Sequence, residues 1–473
     1  MLKTVIEKEI RDLIGSTKFA ITFGACAFLI IAAFWGGAAR YGLHQSHYEA
    51  SRTQNLRQLE GMTDWTAVGS TNIFLPPQPL STLVSGVSND IGRTTLVTGR
   101  GETSAMDSRF NEDPIYAVFR FLDIEFLFQV ILSLFAILLG YDAISGEKER
   151  GTLRLTFANA VPRHTYLLGK MTGSFIVLGV SLLSAVAIGS LLLPLMGVPL
   201  AGEDWGRLAL IVLTGLLYFG VFLTLSVFVS AMTQRSSSSF LWLLVIWIVS
   251  VLVIPRVSVL MAGRAVEVPS VDEMASQKAR LSSQLRDEFI DGLGHFSTEG
   301  RDITGDPTRF LMTFMDSLTD VRETKMQEFA GRLNEDRFNR QREQQKLAFG
   351  LARISPAASL SLAISRLSRT STELKNRFFE ESMTYKESFG QFMKEKTGSN
   401  AGGSMRIITV GGPSENAEEP KAIDPSELPV FRFAGASLTE AVNESAVDMG
   451  ILVFFNLLFF AGAFAAFVRY DVR

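Results

Sequence analysis

Uncharged apolar runs alternate along the chain with segments dense in charge, and the alternation predicts most of the architecture. Residues 1–18 mix charges with Leu2, Val5, Ile6, Ile10, Leu13 and Ile14. That spacing gathers the apolar side chains on one helical face and leaves Lys3, Glu7, Lys8 and Arg11 largely on the other, the pattern of a helix lying in a membrane interface. Residues 19–39 carry no charge over 21 positions. A span needs about 20 such residues, whereas a signal peptide's apolar core has about 7–15, so a retained span is expected. Five more spans follow at 121–141, 165–193, 207–232, 238–260 and 448–468, the third ending before Pro194. Asp123 and Glu125 fall near the outer end of the second span.

The gaps between the spans differ in kind. Residues 40–120 form a long polar loop with a strand-like piece at Thr94–Thr98. Residues 262–447 are expected to form a large helical domain. Leu281, Leu285, Phe289 and Leu293 recur every fourth position, Phe310, Phe314, Leu318 and Val321 follow suit, and Leu360, Ile364, Leu367, Leu374 and Phe378 continue in threes and fours. An antiparallel hairpin or bundle standing above the membrane fits these periods. Residues 397–429, rich in Gly and Pro, read as a linker with one short strand at 407–410. The basic residues of short loops set orientation. Lys3, Lys8, Arg11 and Lys18, then Lys148, Arg150, Arg154, Arg163 and Lys170, favour a cytoplasmic placement of the leader, of the 142–164 stretch and of the tail 469–473. Both long loops then lie outside.

Composition narrows the chemistry. The chain has 473 residues, 47% of them hydrophobic, and a net charge of −3, so nothing suggests nucleic acid. The single cysteine, Cys26, excludes a disulfide within the chain. His44 and His47 form an isolated H-x-x-H that reads as two solvated loop histidines rather than a metal site. No G-x-x-x-x-G-K-[ST] run occurs, and Gly140 to Lys148 has the wrong spacing, so nucleotide is not held by that route. Deep in the spans the polar candidates are few, Tyr218 and Asn456 among them, which argues against ion-coupled transport. A bundle with neither ion-coupling residues nor a nucleotide site needs an outside source of work.

The stretch 142–164 is the candidate for receiving it. Ser145 can cap a short helix, Glu147 suits its first turn, and Glu147-Lys-Glu-Arg150 makes a mixed-charge rim. Gly151 breaks the helix, and Thr152, Leu153, Leu155 and Phe157 then offer a small apolar face. From the residues alone, a docking helix and a solvated loop with inside-positive charge both fit.

Tyr141-Asp-Ala-Ile-Ser-Gly-Glu-Lys-Glu-Arg-Gly-Thr-Leu153, with Pro162-Arg163 and Gly169-Lys170 after it, resembles the cytoplasmic coupling region of ABC-2-type transporter permeases. The ending Phe467-Val-Arg-Tyr-Asp-Val-Arg473 is similar to that of a subgroup with a long extracytoplasmic insertion before the last span. The resemblance implies a mainly α, six-helix polytopic membrane protein with an amphipathic N-terminal elbow helix and a large helical extracytoplasmic domain. It further implies a non-catalytic permease, an exporter, in a bacterial or archaeal cytoplasmic membrane with both termini inside. It also implies pairing with a second permease, as homodimer or heterodimer, no cofactor in the chain itself, and ATP and Mg held by a cytoplasmic ATP-binding partner expected to dock on residues 144–158. Ser145, Gly146, Glu147, Lys148, Glu149, Arg150, Gly151 and Thr152 are the expected polar and hinge contacts, with Leu153 and Leu155 as apolar anchors. Two other readings stay open. One is an ATP-powered transmitter of force to an extracytoplasmic protein without a substrate pore; the other is a membrane-anchored sensor or scaffold.

Overall fold

The computed structural model describes residues 2–88, 91–98, 104–106, 123–158, 161–294, 307–397 and 422–469. Among them, six helical runs are long and apolar enough to cross a membrane: α2 Thr17–Arg57, the run Ile124–Glu149 whose first part is α3 (124–140), α6 Arg163–Leu195, α7 Gly202–Met232, α8 Ser236–Ala265 and α13 Leu438–Val468. The amphipathic leader is helix α1, Leu2–Ile14, and two short helices, α4 Ser145–Glu149 and α5 Thr152–Ala158, join α3 to α6. One end of the bundle, here the near end, carries α1, α4, α5 and the 233–235 turn. The end of α13 also lies at the near end, and the other described segments between the spans lie at the far end.

Several helices outrun the expected spans: the fourth begins at Gly202, the fifth covers Ser236–Ala265 and the sixth begins at Leu438. The first helix does not stop at residue 39 but runs 41 residues to Arg57. Beyond the apolar run its residues still favour helix, and only Gly42 interrupts them before Gly61. The third span passes through Pro194 and ends at Leu195, because a proline in the last turn forfeits only one helical bond. Gly197, at φ +81°, then turns the chain back while the Val198 amide caps the Leu193 carbonyl.

The far-end domain is assembled from both long loops. β1 Ser70–Phe74, β2 Thr94–Thr98 and β3 Ser104–Met106 form an antiparallel sheet in that order, with Phe74 opposite Thr94. Asn55, near the end of α2, lies against β1: its amide donates to the Asn72 carbonyl at 3.2 Å and its oxygen accepts from the Asn72 N–H at 3.2 Å. Trp65, Ile73 and Val97 share a core with Phe378, Tyr385 and Phe389 of α12, Glu373–Thr397. The helices α9 Val271–Gly294 and α10 Pro307–Ala352 make the expected antiparallel hairpin, with Lys325 on Glu288 at 2.7 Å and Gln344 on the Val266 carbonyl at 3.0 Å. The expected strand at 407–410 lies outside the described residues.

One element departs from a bundle standing wholly above the membrane. The periodic run from Leu360 to Phe378 is two helices, separated by a turn in which Arg369 takes φ +60°. The first of them, α11 Pro356–Leu367, is buried at every position except Arg366 and sits among the outer parts of α3, α7, α8 and α13. Its composition allows this: Pro356-Ala-Ala-Ser-Leu-Ser-Leu-Ala lets backbones approach closely, as small residues do in membrane packing. Where α11 docks, α3 and α8 each contain a π-helical stretch, Leu127–Leu132 and Ile248–Val253. Widened turns of this kind free carbonyl groups. Ser355 donates to the Ser250 carbonyl, while the Gln129 amide reaches the Ala357 carbonyl at 3.4 Å. Asp448 of α13, fully buried, pairs with both Arg353 and Arg366 at the two ends of this insert.

Candidate functional site: a latch at the near end of the bundle

The stretch read as a coupling loop is held by its neighbours on every side. The first amides of α4, at Ile144 and Ser145, lack helical partners, and both donate to the Ser230 hydroxyl of α7, at 3.0 and 2.9 Å. Ser145 is therefore not the cap: Ile144 occupies that position, and Ser145 is buried with its own hydroxyl on the Tyr141 carbonyl. The next two charges close the α7–α8 turn. Lys148 donates to the Ala231 carbonyl and, at 2.9 Å, to that of Thr233, which satisfies the C-terminus of α7. Glu149 accepts from the Ser236 N–H at 3.1 Å and its hydroxyl at 2.8 Å, capping the first turn of α8.

Glu147 points the other way, inward. It accepts from the Tyr166 hydroxyl and pairs with Lys170 of α6 at 2.8 Å. Lys170 also pairs with Glu9 of α1 at 3.1 Å, and Ser174 donates to Glu9 at 3.3 Å. One ammonium thus ties the elbow helix to the loop. Two glycines make room for that contact: a Cβ at Gly169 would stand 2.7 Å from Val5, and one at Gly173 2.9 Å from the Cβ of Glu9. A second tie joins the loop to the base of α2, where Lys18 meets Asp142 at 2.9 Å and the Tyr141 hydroxyl at 3.0 Å.

Gly151 takes φ +73°, a conformation other residues rarely adopt, and starts α5 in a new direction. Leu153 then packs at 1% exposure with Ile144, Tyr166, Leu167 and Phe467, and Phe157 lies edge-on to Tyr166. Leu155, two positions on, is 69% exposed. The expected docking set therefore divides. Ser145, Gly146, Glu147 and Leu153 are buried within the chain and present nothing to a partner here, because Ser230, Lys170 and the near-end core occupy them. Lys148 and Glu149 engage the α7–α8 turn. Arg150, Gly151, Thr152, Arg154 and Leu155 form the outward face. On α1, Lys3, Glu7, Lys8 and Arg11 are exposed as the helical period implies, with Lys3 and Glu7 paired at 3.7 Å.

Glu9, Tyr166, Ser230 and Ser236 were not legible as members of this site. Lys170 gave one signal, a lone charge more than a turn inside an apolar helix, which demands a partner.

Six helices long and apolar enough to cross a membrane, an amphipathic leader and a loop latched between them make this a mainly α, multi-pass membrane protein. The sequence model of the ABC-2 family transporter proteins matches residues 3–472, and the chain belongs to that family. It is also similar to the probable ABC transporter permease protein NosY of Stutzerimonas stutzeri, at 34% identity over 125 residues. That alignment covers 26% of this chain and 45% of NosY, so the chain spans under half the length of this curated relative.

Proposed function

We propose that the chain is the permease subunit of an ATP-driven exporter, moved by a separate ATP-binding subunit that docks on the outward face of α4 and α5. On this reading the near end and both termini are cytoplasmic, ATP and Mg reside in the partner, and a second permease completes the assembly. The observation that carries the proposal is the two-sided loop. Leu155 and Arg150 are exposed, the latter while donating to the Gly146 carbonyl at 3.0 Å, whereas Glu147 and Leu153 grip α6 and the near-end core, and Lys170 extends the grip to α1. A force on the outer face thus reaches α2, α6, α7 and α8 through short polar contacts, and α1 through Lys170. The ATPase couples to the spans because the two states of its dimer differ in what they press on this face.

The test is capture of the ATP-binding subunit by the full chain in detergent. Leu155→Asp and Arg150→Glu, both at exposed positions, should leave the chain folded and reduce capture and ATPase stimulation. Undiminished capture and hydrolysis with both variants would overturn the docking assignment.

A transmission reading, in which force passes to an outer partner without a substrate pore, is favoured by α11. Through Asp448 and its two arginines the far-end domain is bolted into the spans. ATP-dependent flux into sealed vesicles separates the two: flux supports export, whereas movement of the far-end domain on nucleotide binding with no flux supports transmission.

A further inference from the structure

A cavity of about 300 Å³ lies between α7, α8, α13 and the turn that leads into α11. Phe222 of α7, Phe455 and Phe459 of α13, Val249 of α8, and Ile354 and Pro356 before and at the start of α11 form its walls. The sole polar side chain among its lining residues is Ser250, whose carbonyl already receives the Ser355 hydroxyl. Water filling a volume of about ten molecules would lack the two to four polar partners that buried water requires, so the lining suits an apolar occupant.

Its mouth shows what is at hand to fill it. Val249 and Ile354 at the rim are 45% and 65% exposed, and they continue the apolar outer surface of α8 and α13 at Ile248, Leu252, Phe454 and Leu458. The cavity is thus continuous with an exposed apolar surface of α8 and α13. We propose that it is a binding site for one hydrocarbon chain of a membrane amphiphile, in the first instance a phospholipid acyl chain, entering sideways from the bilayer. Lipid tails are as apolar as the wall, so the chain gains packing rather than release from water, and shape decides occupancy. Ile354 and Pro356 belong to the insert that carries the far-end domain, so the chain bears directly on that insert.

The experiment reconstitutes the full chain in phosphatidylethanolamine–phosphatidylglycerol vesicles containing a trace of phospholipid with a diazirine in mid-chain. Irradiation and peptide mass spectrometry then map the adducts. The proposal expects adducts concentrated on 245–254, 354–356 and 455–459, well above those at Val180 and Ile188 of α6, which are comparably exposed. Val249→Trp and Ile354→Trp, at rim positions that tolerate bulk, should lower adducts at Phe455 and Phe459 about tenfold, the factor that about 1.4 kcal/mol of lost packing makes. Labelling of α6 should not change. Labelling at the cavity no higher than on α6 overturns the proposal without recourse to any variant. So does unchanged labelling in both tryptophan variants, or a copy-to-copy cross-link from Ile354→Cys that appears together with loss of the lipid adducts.

Discussion

Replacing Lys170 with methionine tests the latch at its centre. The ammonium sits 2.8 Å from Glu147 and 3.1 Å from Glu9, with only 8% of its side chain exposed. Methionine preserves most of the volume and removes the charge, so two carboxylates are left facing each other with little access to water. At an effective dielectric near 20, each pair attracts by about 5 kcal/mol at 3 Å, most of it offset by desolvation. Breaking a buried pair leaves that desolvation uncompensated and costs about 3 kcal/mol. Denaturant unfolding of the full chain in mixed micelles, followed by tryptophan fluorescence, measures this directly. The triple variant Glu9→Gln, Glu147→Gln, Lys170→Met carries no stranded charge and should recover at least half of the loss. The coupled assay adds a functional readout. Lys170→Met leaves Arg150 and Leu155 in place, so capture of the ATP-binding subunit should persist while stimulation of its ATPase falls. The reasoning is refuted if Lys170→Met lies within about 0.5 kcal/mol of wild type, or if Lys170→Met and Glu147→Gln combine additively within that margin.

Leu153→Asp should destabilise the near end by about 3 kcal/mol or more, since it buries an unpaired carboxylate beside Phe467; the same unfolding assay, against a nearly neutral Leu155→Asp, distinguishes the two leucines. Asp448→Ala strands Arg353 and Arg366 and should cost about 3 kcal/mol, measured as loss of stability, with hydrogen exchange rising in α11 before the near end. Gly169→Val drives a side chain into Val5 and should lift α1 off α6 at a cost of about 1–3 kcal/mol, seen as faster tryptic cleavage at Lys8 and Arg11. In the far-end domain, burial raises the Glu381 carboxyl above its usual 4.5, although the Ala434 N–H opposes the shift. A raised folded value means the stabilising contribution is complete below pH 4.5 and is lost as pH rises through the folded value. Glu381→Gln should therefore remove that slope from a melting curve series run on the acid side of neutrality.

The spans were legible because a bilayer admits only helices whose backbones bond internally, and its thickness fixes their apolar length. The polar continuation of α2 from Arg40 to Arg57 obeys no such rule and has no hydropathy signal. The placement of α11 was hidden for a related reason. Leu360, Ile364 and Leu367 mark a buried helical face, but a face buried among spans and a face buried in an outer bundle have the same period. In the coupling stretch the residue types were readable and their directions were not. Leu153 and Leu155 are two positions apart, about 200° around a helix, so only one of them can face a partner. Glu147 looked like its charged neighbours because Lys170, the residue that turns it inward, lies 23 positions away.

The length of α2 has a mechanical meaning. Forty-one residues make a rod of about 60 Å, of which the hydrocarbon core accounts for about 30 Å. Its base is pinned beside the loop by Lys18, and its tip is pinned to the outer sheet by Asn55. A tilt of about 5° at the base therefore swings the tip through about 5 Å, with no joint between to absorb the motion. A displacement too small to open a path between helices at one face becomes, at the other, a movement the size of an amino-acid side chain.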